Sequence, residues 1–90
     1  MNSQNEKTFP YPRVEIEWND ITALTHQTWF SEEDILECRM SICYDVCYLI
    51  KETDREIYTA SSIGFDDDGA VEFGNPTIYP KGCIRRVQRI

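Results

Sequence analysis

Two rows of apolar residues recur with a period of two and fix the kind of fold this chain can reach. Val14, Ile16 and Trp18 alternate with Arg13, Glu15, Glu17 and Asn19. A longer row, Met40, Ile42, Tyr44, Val46, Tyr48 and Ile50, alternates with Ser41, Cys43, Asp45, Cys47 and Leu49. A repeat of two belongs to half-buried strands and not to helices, and the second row is long enough to require a bend. Thr53-Asp54-Arg55 then turns the chain into a third strand, Glu56 to Phe65, carrying Ile57, Thr59, Ile63 and Phe65. Asp66-Asp67-Asp68-Gly69 is the sharpest turn signal, because Gly supplies a positive φ beside local Asp hydrogen bonding. Ala70 to Tyr79 forms a fourth strand, interrupted at Gly74-Asn75-Pro76 because Pro cannot donate to a ladder.

The rest of the chain is less regular. Asn19 to Phe30 follows neither period and is a long connection with room for a bent strand. Ser31-Glu32-Glu33-Asp34 has the capping-box order of a hydroxyl and an acid three residues on, which predicts one helical turn through Ile35 and Leu36. At the end, Ile84, Val87 and Ile90 are spaced by three, not two. A single 3₁₀ turn around Pro80 to Cys83, followed by a short final strand with a bulge, reconciles that spacing with the length left. Four consecutive antiparallel strands, a 3₁₀ turn and a fifth strand give the order of a small five-stranded SH3-like or Sm-like barrel. Closure is preferred to an open sheet because it removes edges that ninety residues can hardly cover.

Ninety residues suffice for one domain, in which about two thirds of the unfolded chain's surface can be buried. Residues 1–9 read as a flexible N-terminal arm and residues 10–90 as a single β-barrel domain. Eleven aromatics help so short a chain, since each ring can bury roughly 150 to 250 Å². The longest apolar run, Ile42 to Ile50, is broken by Asp45 and is far shorter than the roughly 20 residues of a membrane helix. The polar N-terminus lacks the apolar core of a secretion signal, so a cytoplasmic location is expected. Cysteines 38, 43, 47 and 83 contain no C-x-x-C pair and read as free, mostly buried thiols.

Several short segments, taken in order, resemble a family of small phage-encoded proteins of uncharacterised function. The family's first strand, ending in Trp, one residue, then Asp, is matched by Val14-Glu15-Ile16-Glu17-Trp18-Asn19-Asp20. Its second Trp with following acids looks like Trp29-Phe30-Ser31-Glu32-Glu33. Its central strand looks like Val46-Cys47-Tyr48-Leu49-Ile50-Lys51-Glu52-Thr53-Asp54, with Cys47 where the family usually has Gly. Its closing Ile, Pro, Lys, small residue, Cys, Ile is matched by Ile78, Pro80, Lys81, Gly82, Cys83 and Ile84, with Tyr79 inserted. Spanning residues 13 to 90, the resemblance implies a phage accessory protein acting in the cytoplasm of an infected bacterium, and it implies no reaction and no catalytic residues.

No motif supplies chemistry either. His26 stands in a loop without a patterned nucleophile, and Ser61-Ser62 lies on a strand without a Gly-flanked elbow. The aspartate turn lacks the bidentate Glu of a calcium loop. Gly64, Gly69, Gly74 and Gly82 are too dispersed to cradle phosphate. The expectation is no enzyme, no cofactor and no metal. Charge offers more. Residues 81 to 90 hold four basic residues and no acid, whereas residues 1 to 80 hold the other five basic residues and all sixteen acids, for a net charge of −7. Lys81, Arg85, Arg86 and Arg89 are therefore candidate anion-binding residues, unless they pair with acids such as Glu15 and Glu17 on the first strand. Trp29 and Tyr79 are candidate stacking surfaces, with Tyr11 a further ring of that kind. The leading expectation is a protein that binds a host macromolecule, a host protein before any other, and blocks a host or antiviral defence factor. The alternative is a homo-oligomer that sequesters a phosphorylated nucleotide signal. Direct binding to nucleic acid must overcome the net charge.

Overall fold

The computed structural model describes residues 10–90, so the expected N-terminal arm, residues 1–9, lies outside the described residues. The described chain is mainly β. Strand β1 is Arg13–Asn19, helix α1 Glu32–Glu37, β2 Ile42–Glu52, β3 Glu56–Ala60, β4 Ser62–Phe65, β5 Val71–Gly74, β6 Thr77–Pro80 and β7 Ile84–Arg89, with a 3₁₀ turn at Lys81–Cys83. The third and fourth strands of the sequence reading are each broken once. Ser61 separates β3 from β4, and Asn75, at φ 50°, separates β5 from β6.

Five strands form one antiparallel sheet in the order β6-β3-β2-β1-β7, and β4 and β5 form a separate two-stranded ribbon. No ladder joins β6 to β7 among the described residues, so both are edges. Yet β7 follows β6 after only the 3₁₀ turn, which holds the two edges together at one end and obliges the sheet to curl. Register shifts in the β1/β7 and β2/β3 ladders supply bulges, and bulges increase local twist and bending. The shift at β7 leaves Arg85 as the extra residue between Ile84 and Arg86, which is how a spacing of three fits a strand.

The concave face carries the core. Val14 and Ile16 are fully buried (0%), with Cys47, Ile57 and Tyr79 around them and Trp18, Leu49 and Ile84 packed at the margin. Because paired residues share a face, the register places Cys43, Asp45 and Cys47 of β2 on this side, opposite Trp18, Ile16 and Val14. The more apolar row of β2 therefore faces outward, and Tyr44 and Val46 are 59% and 62% exposed. Of the four cysteines, all free, only Cys47 is buried. Cys43 and Cys83 are half-buried and Cys38 is exposed, which corrects the expectation of mostly buried thiols.

Two pieces leave the sheet. Beyond Asn19 and Ile42 the β1–β2 hairpin continues as a stalk. Asp20 N donates to Ser41 O (2.8 Å) and Thr22 Oγ1 to Arg39 O (3.1 Å). The stalk ends in α1, whose capping box forms as its sequence predicts. Asp34 N donates to Ser31 Oγ (3.1 Å) and Ser31 N to Asp34 Oδ2 (3.4 Å). Nevertheless α1 buries none of its residues. The β4–β5 ribbon turns at Gly69, φ 83°, where Asp66 Oδ1 accepts from Asp68 N (2.9 Å) and Ala70 N (2.8 Å). The radius of gyration is 18.5 Å, against about 12 Å for a compact chain of this length.

Candidate functional site

Three of the four basic residues of the C-terminal segment face a carboxylate, two of them the same one. Lys81 Nζ lies 2.7 Å from Glu52 Oε2. Arg85 Nε and Arg86 Nη2 lie 3.0 and 3.5 Å from the two oxygens of Glu17. The neighbouring acid on the first strand is thus the partner of two of the arginines. Arg89 is exposed, opposite Val14, and forms no ion pair among the described residues. Trp29, 87% exposed, belongs to the stalk, whereas Tyr79 belongs to the core. The sheet brings Arg85 and Arg86 together on Glu17 and sets Trp29, Tyr79 and Arg89 apart from them.

Tyr79 instead organises a different site, on the concave face beside the edge strand β6. Two depressions share Thr77 and Tyr79 as a wall. One, of about 310 Å³, is polar, and Asp45, Cys47, Thr59 and Ser61 contribute to its lining. The other, of about 210 Å³, is mainly apolar, with Trp18, Ile21, Ile78, Pro80 and Cys83 among its walls. In the polar cleft the Tyr79 hydroxyl donates to Asp45 Oδ2, and Thr59 Oγ1 donates to the Thr77 carbonyl at 2.9 Å. The indole of Trp18 meets the Tyr79 ring edge-on at 5.9 Å, and its Nε1 is buried without a partner among the described residues. Such an orphan donor costs on the order of 1–3 kcal/mol.

The electrostatics of the cleft favour holding over attacking. Burial, then the hydrogen bond to Asp45 and its negative charge, pushes Tyr79 well above the ordinary tyrosine range. Burial also pushes the Cys47 thiol up, a hydrogen bond with Thr59 offsets part of that rise, and the charge of Asp45 adds to it. Both groups keep their protons at neutral pH. A thiol is a nucleophile only as thiolate, so Cys47 is poorly placed for covalent chemistry. His26, in the stalk, packs edge-on against Phe30 at 5.0 Å. No group of three or more metal-ligating side chains occurs among the described residues, and no described helix is long and apolar enough to cross a membrane.

Sequence reasoning passed over Asp45, Thr59 and Thr77 as site residues. The signal available was Asp45 interrupting the apolar run of β2, but its partner Tyr79 is 34 residues away, and no local pattern links the two. Comparison of the chain with protein-family models, curated proteins and solved structures returns no match.

Proposed function

We propose that this is a non-enzymatic binding protein whose concave face beside β6 takes an extended, basic segment of another protein. The observation that carries this reading is the open edge of β6, flanked by the apolar depression on one side and by the Asp45 carboxylate on the other. An edge strand offers unpaired backbone groups to an incoming strand, and neighbouring depressions supply side-chain specificity, as in strand-addition recognition. A carboxylate at the site and a net charge of −7 draw a basic segment rather than an acidic one.

The strand order fits the same picture. We read the order β7-β1-β2-β3-β6, with a 3₁₀ turn before the last strand, as that of an SH3-like or Sm-like barrel in which the bound segment would lie between β6 and β7. The resemblance to small phage proteins points to a host protein in the cytoplasm of an infected bacterium, with inhibition of a host or defence factor as the consequence. Capture of a phosphorylated nucleotide has less support. Three of the four C-terminal basic residues already face carboxylates, and Asp45 would repel a phosphate in the cleft.

Affinity capture from bacterial lysate at low salt tests the proposal, using the wild type, Asp45→Asn and Ile21→Asp. The amide introduced by Asp45→Asn can still accept from Tyr79, so the fold survives while the charge is lost. A stoichiometric protein retained by the wild type and released by both variants is expected. If the variants hold the same protein as tightly, or the wild type captures none, the reading fails. A thermal shift with nucleotides alone would favour the alternative.

A further inference from the structure

The stalk exposes large apolar side chains, and so does the outer row of β2, beside which β1 sets Glu15 and Glu17 opposite Val46 and Tyr44. Four large hydrophobic residues on the stalk, between Trp29 and Met40, are exposed, and Ile42, Tyr44, Val46 and Ile78 continue them on the outer face. At roughly 100 Å² of exposed surface each, these eight amount to about 800 Å², the area a standard interface takes from each partner.

Charge is arranged to match. Helix α1 sets Glu32, Glu33, Asp34 and Glu37 beside Ile35 and Leu36. On the outer face the register puts Arg13 opposite Tyr48 and Lys51 opposite Tyr58. Both cations are exposed and form no ion pair among the described residues. Close to Lys51 lies an apolar depression of about 150 Å³ walled by Ile50, Tyr58, Phe73, Pro76 and Ile78. This cationic, indented end is the wrong end for the chain's own stalk. The stalk leaves from Asn19 and Ile42, about 20 Å along the strand from Arg13.

We propose that two copies of the chain pair face to face through the outer row of β2, and that the stalk of each copy clasps the far end of the other. A two-fold axis near Tyr44 and Val46 sets the two β2 strands antiparallel, which carries each stalk over its partner's Arg13 and Lys51. The contact is self-complementary, as a closed pair requires. Leu36 of one copy enters the depression of the other, and the acids of α1 meet the two cations. Ile78 also walls the apolar depression beside β6, and Tyr44 and Val46 border the polar one, so pairing adjoins the concave site, whose Asp45 and Tyr79 lie on the other face of the sheet.

Sedimentation equilibrium of the full chain over a concentration series is the test. The wild type should be a dimer. Trp29→Ala combined with Leu36→Ala should weaken it roughly 30-fold or more, since anchors of this kind dominate interfaces. It should leave the melting temperature of the dissociated protein unchanged, because both side chains are exposed in the single copy. Val46→Glu, at a position already exposed, should give a folded monomer, with circular dichroism as the control. Tyr44→Ala decides the point if Val46→Glu does not fold. Arg13→Glu with Lys51→Glu should weaken pairing by about tenfold or more. A wild type that stays monomeric up to about 1 mM overturns the proposal. So does a dimer indifferent to the stalk variant, to the face variants or to the charge reversal.

Discussion

Replacing Tyr79 with Phe probes a polar link that ties β6 to β2 across the concave face. The ring stays, with its packing on Val14, Ile16 and Ile57 and its edge contact with Trp18. Only the hydroxyl that donates to Asp45 is lost. A hydrogen bond to a charged group contributes about 1.5–3 kcal/mol. Asp45 is half-buried and faces an open cleft, so water can replace the phenol and the lower end applies. A loss of about 1.5 kcal/mol lowers the melting temperature by roughly 6–12 °C in a domain of this size. The pH dependence has a definite sign. Tyr79 is raised above its unfolded value of 10.0, so its contribution is fully present below pH 10. Above that pH the unfolded chain releases a proton that the folded one keeps, and the contribution falls away. Tyr58 is also raised, first by the charge of Glu56, then by burial and its hydrogen bond to Glu56, and it adds a loss of the same sign. Thermal unfolding followed by circular dichroism at pH 7 and at pH 11 measures both effects. Tyr79→Phe should be less stable at pH 7 and decline less steeply in alkali than the wild type. A variant as stable as the wild type at pH 7, or one with an identical alkaline slope, would refute the reasoning.

The cysteines should react with a thiol reagent in the order of their exposure. Cys38 is modified first and Cys47 last, its thiol buried and shifted up, and peptide mapping of a time course checks this. Glu17→Gln removes the carboxylate that pairs with both Arg85 and Arg86, which are about half exposed. It should cost no more than about 1 kcal/mol, and less at high salt, in denaturant unfolding. Ser31→Ala deletes the cap of α1, a local loss of about 1 kcal/mol. Since α1 buries nothing in the single copy, amide exchange should rise in residues 32–37 while the global melting temperature of dissociated protein stays put.

Much of the local structure was legible because its causes are local. The alternation in β1 places Val14 and Ile16 in the core, the capping box starts α1 at Glu32, and the aspartate turn needs the positive φ of Gly69. Pro76 and Pro80 stop their ladders where Pro must. The candidate site was not legible in the same way. Four neighbouring basic residues suggested one surface, but a strand sends successive side chains to opposite faces, and a bulge re-aims Arg85. Glu17 and Glu52, distant in sequence, then pair with three of the four.

By itself, the sequence determined the elements: periodicity, capping and turn chemistry act within a few residues and leave little choice. Only the tertiary structure decided which face of β2 turns inward. Alternation specifies that two faces differ and not which one the sheet curls around, and here curvature puts Asp45 and Cys47 inside with Tyr79 and leaves Tyr44 and Val46 outside. That choice rests on pairing between strands far apart in the chain. It created the polar cleft beside β6, and among the described residues it left the Tyr44 and Val46 side chains exposed on the other face.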